Sequence, residues 1–249
     1  MAENSNIEWT DHTFNPVWGC TQIAPGCDNC YAKEIDQRFN KGAFWGPKNM
    51  PRRTNIQNWN KVRKWNKSAE ITGQQVKVFC ASMADICDKN WEPAWREDLW
   101  QLIRETPSLT WQLLTKRATL IEKYIPLDIR MLPNVWLGVT AEDQKHGVER
   151  ASQLSQIECN LRWMSIEPLL EQIKIPAYIM ETMSWIVIGG ESGSSHRPID
   201  ASWVSSIIKH ADLYLIPVFF KQWGGKRPKE NGCLLNGVEL KQFPLGAMA

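Results

Sequence analysis

Three cysteines stand close together early in the chain: Cys20, Cys27 and Cys30, in the pattern C-x6-C-x2-C, with Tyr31 directly after the third. Pro16, Gly19, Pro25 and Gly26 punctuate the same stretch, so the segment from Thr13 to Ala32 reads as a loop wrapped around something small. A structural zinc site is closed by four protein ligands, whereas a site meant for chemistry keeps one position open. Iron–sulfur clusters also take thiolates, normally four of them. Three cysteines would hold a four-iron cluster by three irons and leave the fourth free for a small molecule. The rival set is a zinc ion held by Cys20, Cys27, Cys30 and His12, which lies eight residues before Cys20.

Other residues with chemical capacity are spread along the chain. In Gly189-Gly190-Glu191, the glycines would let a ligand approach the backbone and the carboxylate could accept from an ammonium group; the same letters fit a tight turn. Ser82 and Asp85 follow an apolar run, and Glu142 and Glu167 follow two more. Buried carboxylates need partners, and Lys116, Arg117 and Lys221 could supply them. His196-Arg197-Pro198 could position a substrate. Cys80, Cys87, Cys159 and Cys233 are scattered and read as ordinary buried thiols, with Cys87 placed for a radical relay or a second metal.

These residues need elements to bring them together, and the spacing supplies a scheme. Thr13–Val17 is expected as a first strand ending at the cysteine loop, and 31–40 as a helix. From 76 onwards, apolar runs at 76–81, 110–114, 135–139, 161–166, 185–188 and 217–220 end near 82, 115, 140, 166, 190 and 221. The steps match one strand plus one crossover helix, which argues for a parallel sheet. The runs are apolar throughout, as expected of strands buried on both faces. Helices are expected at 95–104, 145–154 and 201–211, the last capped by Asp200. Each run ends in polar residues, and parallel barrels carry functional groups at the C-terminal ends of their strands. The fold expected is α/β, a partial (β/α) TIM-type barrel in a single domain over 1–249. An insertion falls at about 41–75 and a C-terminal extension at about 224–249.

Composition narrows the partners little. The chain has 249 residues, a formal net charge of +2, fourteen tryptophans and seven cysteines. The tryptophans fit a core of large amphipathic rings or a stacking surface for bases. Residues 48–67 mix Arg52, Arg53, Lys61, Arg63, Lys64 and Lys67 with Trp59 and Trp65. This is the composition of a phosphate-and-base contact surface, or of a solvated helix with a tryptophan face packed on the barrel. That stretch and 221–229 (KQWGGKRPK) lean towards a nucleic acid or nucleotide substrate. An odd cysteine count with three clustered argues against a disulfide scaffold and for a reducing cytoplasm. No apolar run reaches the roughly 18 residues of a membrane span, so no membrane association is expected, and MAENSNIEWTDHT is not expected to act as a signal peptide.

The cysteine loop resembles the cluster loop of radical S-adenosylmethionine (SAM) enzymes, whose usual spacing is C-x3-C-x2-C with an aromatic residue beside the last cysteine. Cys27, Cys30 and Tyr31 match that pattern; the first gap has six residues in place of three. Over nearly its full length the chain is similar to a radical-SAM-like family of phages and bacteria. The segments that carry this are FNPVWGC, the Cys27–Tyr31 turn, SMAD (82–85), WLGVTAED (136–143), SIEPLL (165–170), WIVIGGESG (185–193) and FFKQWGG (219–225). The resemblance implies a [4Fe-4S] cluster on Cys20, Cys27 and Cys30, and SAM as second cofactor. It further implies reductive cleavage to a 5′-deoxyadenosyl radical, and an electron donor such as flavodoxin or ferredoxin. Tyr31 would then pack near the adenine. Gly189, Gly190, Glu191, Ser82 and Asp85 would contact SAM, and Glu142 and Glu167 would accept from its ribose hydroxyls or ammonium. In those enzymes the Gly-Gly-Glu-like segment follows the second strand; here it follows the sixth. The alternative from a different class is a zinc-stabilised nucleic-acid-binding protein without catalysis.

Overall fold

A computed structural model describes residues 2–227 and 229–244; Pro228 and 245–249, which belong to the expected C-terminal extension, lie outside the described residues. Seven strands form one sheet: β1 (His12–Phe14), β2 (Val76–Cys80), β3 (Leu109–Thr115), β4 (Val135–Thr140), β5 (Leu161–Ile166), β6 (Trp185–Gly189) and β7 (Val218–Gln222). They lie side by side in chain order and every pairing is parallel. First and last strands do not pair, so the sheet curls into a half-barrel. Five helices longer than two turns lie between strands: α1 (Tyr31–Asn40) and α2 (Ile56–Thr72) before β2, α3 (Pro93–Arg104), α4 (Gln144–Gln156) and α5 (Ala201–Leu213). No helix among the described residues is long and apolar enough to cross a membrane.

The strands alternate, and register shows which side chains face where. Val78, Cys80, Trp111, Leu113, Leu137, Val139, Met164, Ile166, Ile186, Ile188, Val218 and Phe220 pack outward with the helices into one core. The alternate set, Phe79, Trp136, Trp163, Trp185, Val187 and Phe219, fills the concave side around Trp9. Trp9 meets Phe79 at 4.7 Å and Trp163 at 5.4 Å, both edge to face, the preferred aromatic geometry. Gln112 donates to the Trp9 carbonyl at 3.0 Å, and the Trp163 indole to the Trp136 carbonyl at 3.2 Å. Gly138 is required here, because a Cβ at that position would collide with the Trp163 indole.

Open sheets must protect their edges. Ala2 bridges to Thr13 of β1, and Lys241 bridges to Phe219 of β7. Phe243 stacks on Trp185 with ring centroids 5.4 Å apart, and Glu8 pairs with both Lys229 and Lys241. The segments at 2–9 and 240–243 thus line the seam between β1 and β7.

Two expectations need correction. The first strand ends at Phe14; Val17 pairs instead with Arg53 in a small antiparallel ribbon, because Asn15 and Pro16 turn the chain out of the sheet. The tryptophans of 48–67 offer no stacking surface: Trp59 and Trp65 are buried on the inner side of α2. The other tryptophans are buried or half-buried, so the core reading holds for them too. Cys80, Cys87 and Cys159 are buried as expected, whereas Cys233 is half-exposed near Glu239.

Candidate functional site

Continuing the inward alternation past the strand ends puts Lys116, Glu142, Glu167 and Lys221 on the rim at the C-terminal mouth. The aromatic filling stops below them, and Thr140, Ser165 and Val187 form the next layer down. Glu142 is fully buried, between Lys116 at 3.4 Å and Arg150, which also donates to the Thr140 carbonyl at 2.9 Å. Glu167 reaches across β6 to pair with Lys221. It can do so because Gly189 leaves the space; a Cβ there would stand 3.2 Å from the Glu167 carboxyl carbon. Gly190 is filled likewise by the Trp223 carbonyl, and its own amide donates to Gln222 at 2.9 Å. The glycine pair therefore serves close internal packing of β5, β6 and β7.

Glu191 accepts from the backbone amide and the guanidinium of Arg197 (2.9 Å each) and from Asn29 at 3.0 Å. Burial disfavours its charge, but these donors outweigh burial and hold the carboxyl below its ordinary range. Asp85 accepts from the amides of Cys87 and Lys116 and from the Thr115 hydroxyl, and pairs with Arg117 at 2.8 Å. Ser82 exchanges hydrogen bonds with the Asn15 side chain.

The cysteine loop lies across this mouth. A 3-10 turn at Pro25–Cys27 is followed by Cys30 at the N-terminus of α1. Gly26 sits directly on the rim, where a Cβ would come within 2.9 Å of the Lys116 ammonium and 3.0 Å of the Glu142 carboxyl. Several tethers hold the loop down. Asn29 reaches Glu191, Arg197 donates to the Pro25 carbonyl at 2.9 Å, the Tyr31 hydroxyl to the Ser82 carbonyl at 2.7 Å, and Arg117 to the Thr21 carbonyl at 3.0 Å. Asp88 adds another contact, accepting from the Thr21 amide at 3.2 Å while pairing with Arg117.

All seven cysteines are free thiols. Burial pushes the Cys20 thiol up, countered by Arg117, whose guanidinium lies 3.9 Å from its sulfur. Burial also raises Cys30, countered by the Ala32 and Lys33 amides at the start of α1 and by Lys116. Among the described residues no three His, Cys, Asp or Glu side chains are gathered closely enough to form a metal-binding group. His12 is not brought to the loop: it stacks on Trp65 of α2, ring centroids 4.2 Å apart, on the outer side of the sheet.

Of the residues singled out from sequence, Cys30, Tyr31, Ser82, Glu142, Glu167 and Glu191 converge on the mouth. Cys20 lies to one side, with Asp85 and Arg117. Sequence reasoning missed Asn29 and Asp88. Asn29 lies between two of the cysteines and Asp88 lies three residues beyond Asp85, which is the signal that was there to use. A family model described as "Protein of unknown function (DUF5131)" matches residues 4–244. No curated protein and no solved structure matches the chain. With nearly its whole length matched, the chain belongs to the DUF5131 family.

Proposed function

We propose that the protein is a radical SAM enzyme in which Cys20, Cys27 and Cys30 hold a [4Fe-4S] cluster over the mouth of the half-barrel. One observation carries the reading. A loop with three reduced thiols is tied across the C-terminal ends of parallel strands, where such folds place their chemistry. The donor type fits the group, while the three thiols are not gathered into a metal-binding group among the described residues. Thiolates are its usual ligands; Arg117 beside Cys20, and the start of α1 and Lys116 beside Cys30, only partly offset the burial that raises both thiols. His12, the fourth ligand of the rival zinc set, is engaged elsewhere. The same observation weighs against closed zinc coordination.

When bound, the cluster supplies the electron for reductive cleavage of SAM to methionine and a 5′-deoxyadenosyl radical. The chain's own residues bind, orient and shield. Tyr31 presents a half-exposed ring beside Cys30, suited to an adenine face. The partly exposed Glu167–Lys221 pair offers one carboxylate and one ammonium, suited to the amino and carboxyl groups of an amino acid. Glu191 and Asp85 fix the loop and strand ends; Ser82, Gly189 and Gly190 shape the wall. Glu142 anchors the rim from below. The aromatic filling beneath excludes water from the floor. An electron carrier such as flavodoxin or ferredoxin would serve the enzyme in a reducing cytoplasm.

The test is anaerobic purification with iron, sulfide and zinc assayed, then incubation with dithionite and SAM. Brown protein absorbing near ~400 nm and forming 5′-deoxyadenosine, both lost in Cys30→Ala, is the expected result. Stoichiometric zinc with no iron after reconstitution would sink the proposal.

A further inference from the structure

The outer face of α2 is a second surface, remote in character from the mouth. Trp59, Val62, Trp65 and Ala69 fix its inner side. At about 100° per residue, Asn60, Lys64 and Lys67 then point the opposite way, flanked by Gln57 and Lys61 within about a third of the circumference. All five are exposed. Other basic residues of the segment already have partners: Arg53 pairs with Asp98 at 2.8 Å, Arg63 with Glu105 at 2.7 Å, and Arg52 lies over the Phe44 ring. Among the described residues, no carboxylate pairs with Lys61, Lys64 or Lys67. Exposed Glu70 sits at the edge of the face, and exposed Ile71 continues its centre line one turn beyond Lys67.

We propose that this face docks on the phosphate backbone of duplex nucleic acid. Lys61, Lys64 and Lys67 rise about 4.5 Å per step along the helix and turn about 60° each time, a slanting stripe of positive charge that can follow successive phosphates. Gln57 and Asn60 add neutral donors of the kind that bind phosphate oxygens. The tryptophans that alternate with these lysines in sequence point into the core, so the face has no stacking platform. It therefore reads backbone and charge without reading bases, and gains nothing from single strands. The inference is independent of the cluster and holds for the metal-free chain.

The test is fluorescence anisotropy of the full chain with a labelled 20-base-pair duplex, the matching single strand, and vesicles containing phosphatidylserine, over a salt series. The expected result is duplex binding no weaker than single-strand binding, with log K falling against log salt by about 2.7 for three phosphates. The triple variant K61Q/K64Q/K67Q loses about tenfold or more in affinity and flattens the salt slope, and K61R/K64R/K67R restores both. Unchanged circular dichroism and melting in both variants tie the loss to the surface. Four results would overturn the proposal. These are no duplex binding at low salt, a triple-glutamine variant that binds as the parent does, a strong preference for the single strand, or vesicle binding in place of duplex binding.

Discussion

The floor and the mouth of the half-barrel are built by the same strands with the same alternation of side chains, yet they have opposite chemistry. Below Thr140 and Ser165 the inward positions are aromatic rings packed edge to face. Above them the inward positions are carboxylates, lysines and the arginines that answer them. The lower layer needs no partner outside itself and supplies cohesion. The upper layer holds its charges in pairs that also tie down a loop from another part of the chain, and such pairs contribute less to stability than to geometry. One strand thus carries packed rings at one end and paired charges at the other.

The largest test of that division is Trp163→Ala, which removes a fully buried ring from the floor. The expected cost is about 3–5 kcal/mol, read as a shift in the urea midpoint; a loss below about 1 kcal/mol would mean that the rings are not the cohesive layer. Gly138→Ala forces a methyl group into the Trp163 indole and should cost about 1–3 kcal/mol, with Trp163→Phe in the same chain recovering part of it. At the mouth, Arg197→Ala leaves the buried Glu191 carboxylate short of its main donor. It should cost about 1–3 kcal/mol, but its clearer signature is faster alkylation of the loop cysteines by iodoacetamide. Equal alkylation rates in the two proteins would show that Arg197 does not hold the loop.

A smaller effect is set by pH. The Glu191 carboxyl lies below its ordinary value of 4.5 in the folded protein. Its contribution is therefore full above that value and is lost as the pH falls through the depressed one. Melting temperature measured from pH 7 down to pH 3 should drop less steeply below about 4.5 in Glu191→Gln than in the parent. Identical acid limbs would remove Glu191 from the account.

The fold was legible because crossover units repeat. From β2 onwards the strand ends fell within a residue or two of their expected places, α1 spans Tyr31–Asn40 as its composition indicated, and Asp200 caps α5 through the Ser202 amide. The two faces of the sheet were not legible. Strands buried on both sides read as unbroken apolar runs, so nothing in the local pattern separates Trp163, inside, from Met164, outside. The site was half legible. The cysteine loop and strand-end carboxylates announce themselves by residue type, but their partners do not. Asn29 meets Glu191 across 162 residues of sequence, and no local rule forecasts such a pairing. Gly189 and Gly190 show the converse: a motif that suggests a ligand is accounted for by a neighbouring side chain and a neighbouring carbonyl.

The seam between β1 and β7 bears on how the molecule is made. Residues 2–9 and 240–243 are far apart in sequence, yet both line the same gap and are joined where Glu8 pairs with Lys241. Until Phe243 has emerged, Trp185 lacks its stacking partner and the backbone of β7 lacks its cover. A nascent chain paused between β7 and Lys241 therefore displays an uncovered strand edge and an apolar cleft. The finished molecule conceals both only when its two distant segments meet.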